Sequence, residues 1–157
     1  MIEPGSIVNV MHPNPKQQRT SAYGIAVRDG SVLLVRVNGA GDPDEGKWMW
    51  PGGGIEHGEH PQEAVVRELH EETGLTVEVG KLLHVGSDHR LLHYSPDRIV
   101  DFHGLYFLYA VTVTGGALAD EANGDTAAPS WMAVDRLANL PMIDPVSDVL
   151  PQLVLEM

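Results

Sequence analysis

The chain contains no cysteine among its 157 residues. That absence excludes disulfides, cysteine-ligated zinc and a thiol nucleophile, and it fits a reducing compartment. Basic side chains are also scarce, with 10 Lys and Arg against 22 Asp and Glu and a formal net charge of −12. Affinity for duplex DNA or long RNA rests on basic groups meeting phosphates, so the balance argues against a long nucleic-acid partner. A small anionic substrate stays open, provided a metal neutralises its pocket. No apolar run approaches the roughly 20 residues of a membrane helix. Residues 1–20, with Pro4, Pro13 and Pro15, lack the basic region and apolar stretch of a secretory signal. The expectation is a cytoplasmic protein with no membrane partner.

What is present is a chain with 43% hydrophobic residues, enough for one compact domain with a real core and too short for a second. Its most informative stretch runs from Gly53 to Leu75, GGIEHGEHPQEAVVRELHEETGL. A Pro51-Gly52-Gly53-Gly54 turn leads to His60-Pro61, where proline's missing N–H costs nothing in a helical first turn, and Gly74 suits a C′ position. The predicted helix spans residues 61–73, with Ala64, Val65 and Leu69 on its apolar stripe. Glu68, Glu71 and Glu72, at offsets of zero, three and four, fall within an arc of about 100°. Like charges so placed repel unless a cation compensates them, and hard oxygen ligands select Mg²⁺, Mn²⁺ or Ca²⁺. A merely solvated glutamate face would not call for the adjacent Arg67, the glycines upstream or a further Glu59 before the helix.

Gly, five residues, Glu, seven residues, then Arg-Glu-aliphatic-any-Glu-Glu-any-Gly-aliphatic resembles the Nudix box. Gly53, Glu59, Arg67, Glu68, Leu69, Glu71, Glu72, Gly74 and Leu75 fill every fixed position. The resemblance implies an α/β (α+β) fold, a Nudix-like α/β/α sandwich with a mixed β-sheet between helices. It implies hydrolysis of a nucleoside diphosphate linked to another moiety, with Mg²⁺ or Mn²⁺ as cofactor and water attacking phosphorus. It also implies that the carbonyl of Gly53 and the carboxylates of Glu68, Glu71 and Glu72 hold metal. Arg67 is expected to orient a neighbouring glutamate through its fork, and Glu59 to support the site. Family members often use a further acid outside the box. Glu121 is favoured here over Asp120 and Asp125, against the alternative of an acidic loop serving solubility.

Along the chain, residues 1–20 read as an irregular arm that could cross to the partner of a homodimer, and 21–157 as the single domain. Strands are expected at residues 23–28 and 32–37, joined at Asp29-Gly30, then at 76–85 and 102–114. Residues 39–47 and 115–130 read as loops, 134–139 as a short helix and 144–155 as a last helix. Candidate substrate contacts are Trp48, Trp50, Arg36 and Tyr23, with Tyr94 as another aromatic able to stack on a base. The histidines show no i, i+4 pair accompanied by the acid of a helical zinc motif. The substrate is left open among a nucleoside triphosphate, a nucleotide sugar, ADP-ribose and a dinucleoside polyphosphate. Without cysteine, the isoprenoid diphosphate isomerases that share the fold are disfavoured. A nucleotide-binding regulatory domain without catalysis is the main alternative.

Overall fold

A computed structural model describes residues 14–157. Eight strands, two α-helices and one 3₁₀ turn follow in the order β1 (Lys16–Ile25), β2 (Val27–Arg28), β3 (Ser31–Val37), β4 (Trp48–Met49), β5 (Gly52–Gly54), α1 (Pro61–Thr73), β6 (Leu75–Ser95), β7 (Arg98–Gly116), β8 (Thr126–Ala133), the 3₁₀ turn (Val134–Asn139) and α2 (Asp144–Glu156). One sheet has the order β5-β1-β7-β6, with β1 and β7 parallel and the other pairs antiparallel. The second is built on β3, which pairs with β2, β4 and β8.

Alternation along the strands divides the core between the two helices. Val32, Leu34 and Val37 of β3 join Ile25, Tyr106 and Leu108 against Val146, Leu150 and Leu153 of α2. Leu33, on the opposite face, joins Ala22, Tyr109 and Val111 against Ala64, Val65 and Leu69 of α1. A mixed sheet system between helices is therefore the observed architecture, as expected.

Local chemistry accounts for the elements read correctly. Asp29 and Gly30 both have positive φ, 51° and 73°, as a two-residue turn matching strand twist requires. Helix α1 starts with a reciprocal cap in which the Gln62 N–H donates to His60 Nδ1 at 3.1 Å and the His60 N–H donates to Glu63 at 3.2 Å. It ends at Gly74, whose φ of 76° lets its N–H reach the His70 carbonyl.

Three boundaries differ from the sequence reading. Residues 16–20, assigned to the arm, are the first half of β1 and pair with Asp101 to Leu105 of β7; the arm up to residue 13 lies outside the described residues. The strand expected at 76–85 continues to Ser95 and turns into β7 at Arg98, so residues 86–101 form a long hairpin. Polar residues on both faces, among them His89, Arg90 and His93, hide a strand that protrudes from the core. The loop expected at 115–130 ends at β8, where Thr126, Ala127 and Ser130 pair with β3 across a register shift and Trp131 lies inside the strand.

Candidate active site

The glycine turn and α1 meet through backbone geometry that no larger residue permits. At Gly52, with φ of 143°, a Cβ would collide with the Ala22 carbonyl and the Cα of Tyr23. At Gly53 a Cβ would lie 2.9–3.0 Å from the Glu68 carboxylate, so the missing side chain lets that carboxylate pack directly against the glycine backbone. The Gly52 N–H donates to Glu72 Oε2 at 2.9 Å across 20 positions of sequence.

Arg67 gathers the remaining acids. Its Nε and Nη2 donate to the two oxygens of Glu59 at 2.8 and 2.9 Å, while Nη1 donates to Glu68 at 2.8 Å and Glu71 at 3.3 Å. Nη2 also donates to the Gly54 carbonyl at 3.0 Å. The guanidinium and the Glu56 N–H hold Glu59 well below the usual carboxylate range, at about 2. Burial dominates at Glu72 and pushes its carboxyl up to about 8, against the pull of the Gly52 N–H and with repulsion from Glu68 added. Glu68 is also raised, first by burial, with Arg67 opposing.

These groups open onto a cleft of about 580 Å³ lined by seven carboxylates, those of Asp42, Asp44, Glu68, Glu71, Glu72, Glu121 and Asp125, and two guanidinium groups, of Arg19 and Arg90. Among the described residues no three acid or imidazole side chains already converge on one point, because Arg67 draws Glu68 and Glu71 while Gly52 draws Glu72. The donor set still fits a hard divalent cation. All the donors are oxygens, and Gly53 lets the Glu68 carboxylate lie close against the backbone whose carbonyl would join it.

The loop acids separate. Asp120 accepts from the Ala128 N–H at 2.7 Å and serves the turn into β8. Glu121 lines the cleft, with its carboxylate folded over Gly124 where a Cβ would collide with it. Asp125 lines the cleft too.

Of the residues expected to meet substrate, Tyr23 lines the cleft, as does Tyr94, the further aromatic able to stack. Trp50 is 2% exposed and packs in the core beside Tyr23 and Tyr106, at ring-centroid distances of 5.9 and 5.8 Å, so it has no face left for a ligand. Trp48 packs against the same core and pairs with Arg36, and neither lines the cleft. The short β3–β4 pairing sets Trp48 opposite Arg36, away from the cleft lining. Arg19, Arg90, Leu92 and Phe102 line the cleft and went unrecognised as site residues, while Tyr94 joins them. The period-two run Asp88, Arg90, Leu92, Tyr94 was the available signal, since it places four side chains on one face of β6.

The chain is 36% identical over 117 residues to an ADP-ribose pyrophosphatase of Methanocaldococcus jannaschii, covering 74% of this chain and 63% of that one, so it spans just under two thirds of that relative's length. It is 41% identical over 126 residues to a MutT-like protein of Streptomyces ambofaciens, covering 80% and 70% of the two chains. The crystal structure of a MutT NUDIX hydrolase from Burkholderia pseudomallei superposes with a TM-score of 0.61 at 28% identity, covering 76% of this chain and 85% of that one. Residues 17–153 match the NUDIX domain family model, and the chain belongs to that family.

Proposed function

We propose that the chain hydrolyses the diphosphate linkage of a nucleoside diphosphate derivative, with Mg²⁺ or Mn²⁺ held by the Gly53 carbonyl and the carboxylates of Glu68, Glu71 and Glu72. The observation that carries this reading is the charge of the cleft: seven carboxylates facing two guanidinium groups would repel a diphosphate unless divalent cations came with it. A bound cation neutralises diphosphate oxygens and the charge developing on the leaving group.

The protein's own groups have separate tasks. Arg67 aims Glu68 and Glu71 and anchors Glu59, so the acids keep their places as a ligand arrives. Gly52 fixes Glu72 from the backbone. Glu121, on a loop at the cleft wall, takes the proton of the attacking water as the new P–O bond forms and the anhydride P–O bond breaks.

The test is nucleotide release from ADP-ribose, nucleoside triphosphates, nucleotide sugars and dinucleoside polyphosphates with Mg²⁺ or Mn²⁺. The name of the archaeal relative puts ADP-ribose first. Glu72→Gln, which keeps an acceptor for Gly52, is expected to lower turnover by roughly 100-fold or more with a cooperative unfolding transition retained. Full activity in that variant, or no turnover of any substrate by the unaltered chain, overturns the reading.

A further inference from the structure

Parallel pairing of β1 with β7 sets Arg19 opposite Gly104 and Gln17 opposite Phe102. Antiparallel pairing of β7 with β6 sets Gly104 opposite Asp88 and Phe102 opposite Arg90. Alternation then puts Arg19, Gly104, Phe102, Arg90, Leu92 and Tyr94 on one face of the sheet, and the cleft lies over that face.

The Phe102 ring does not stand at its own level. A Cβ on Gly104 would lie 3.0 and 3.1 Å from its Cε1 and Cζ, so the ring is folded back over the glycine. That seats it beside Arg19, one strand spacing away, about 4.8 Å. The Arg19 guanidinium in turn lies 3.0 Å from where a Cβ on Gly54 would sit, next to Gly53 and Glu68. The cleft thus runs from carboxylates to a guanidinium to an aromatic ring, with Leu92 and Tyr94 farther out.

The two cleft arginines are not equivalent. Arg90 is committed to Asp44 and Asp88, each at 2.9 Å, so its positive charge is already met by carboxylates. Arg19 makes no ion pair with any described residue. A cleft made for bare polyphosphate would continue with cations; this one continues with a half-exposed ring and an aliphatic side chain.

We propose that the Phe102 ring, seated on Gly104, is the platform on which the substrate's nucleobase stacks, with Arg19 binding the phosphate oxygens between that base and the carboxylates. The proposal rests on the hydrolase reading for its substrate class. Stacking accepts any base, because every base has a π-face, so the platform selects nucleotides over bare diphosphates rather than one base over another.

The experiment is calorimetric titration of the full chain in Mg²⁺ with ADP, CDP and inorganic pyrophosphate, alongside turnover of ADP-ribose. Phe102→Ala is expected to raise Kd for ADP and CDP about 5- to 100-fold and leave that for pyrophosphate within about twofold. Phe102→Trp should restore nucleotide affinity, and Gly104→Ala, which displaces the ring, should weaken it in the same direction. Equal weakening of all three ligands, no change in any, or no preference of the unaltered chain for ADP over pyrophosphate overturns the platform. If Phe102 governs ADP binding but no substrate is cleaved, the hydrolase reading fails and the platform stands. If cleavage is robust and insensitive to Phe102, the reverse holds.

Discussion

Arg67 and Glu59, eight residues apart, grip each other through two parallel hydrogen bonds, Nε to Oε2 at 2.8 Å and Nη2 to Oε1 at 2.9 Å. The same guanidinium reaches Glu68, Glu71 and the Gly54 carbonyl, so one side chain ties the segment before α1 to the acidic face of α1 and to the glycine turn. A planar fork can do this and a point charge cannot.

Arg67→Lys is therefore expected to keep the net charge and lose the geometry. Activity or metal affinity should fall about 10- to 100-fold, with the loss visible in the Mg²⁺ or Mn²⁺ dependence of turnover. Wild-type metal dependence in that variant would remove Arg67 from the positioning role.

The pH dependence of stability follows from two carboxyls shifted in opposite directions. Glu72, raised to about 8 from 4.5, holds a proton in the folded chain that the unfolded chain has released. Its contribution is complete below pH 4.5 and is lost as pH rises towards 8, at up to about 1.4 kcal/mol per pH unit. Glu59, lowered to about 2, contributes above pH 4.5 and loses that contribution as pH falls towards 2. Thermal unfolding in chelator from pH 5 to 9 should show melting falling with pH in the unaltered chain and a flatter profile in Glu72→Gln. Divalent cation should oppose the loss, since it favours the ionised carboxyl. Parallel profiles for the two proteins would contradict the burial argument.

The two neighbouring loop acids should behave differently. Glu121→Gln is expected to lower kcat about 100-fold or more while leaving KM nearly unchanged, as removal of a proton acceptor does. Asp120→Asn keeps an acceptor for the Ala128 N–H and should stay close to wild-type kcat. A reversed order, read from kcat at saturating metal, would reassign the base.

Legibility in the sequence followed the range of the forces involved. The turn at Asp29-Gly30 and the Pro61 start and Gly74 end of α1 are set by contacts within a few residues, and each stands where periodicity and turn chemistry put it. The hairpin at residues 86–101 escaped because both its faces meet solvent over much of its length, which erases the apolar alternation that marks a strand. β8 escaped because Ala127, Ala128 and Pro129 carry little strand preference of their own, and the segment is held by the pairing of Thr126, Ala127 and Ser130 to Ala133 with β3.

The sequence by itself determined the family's motif, the helix that carries it and the acidic character of the cleft, since these depend on residue type at fixed spacing. Only the tertiary structure decided which aromatic side chains meet the cleft. Trp50 is drawn into the core between Tyr23 and Tyr106, while Phe102, 48 positions beyond the glycine turn, is carried to the cleft by the parallel pairing of β1 with β7. Arg19 likewise reaches Gly54 only because β1 lies between β5 and β7. The physical reason is that burial and cross-strand register are properties of the closed chain, and no local preference of Trp50, Phe102 or Arg19 encodes its partner.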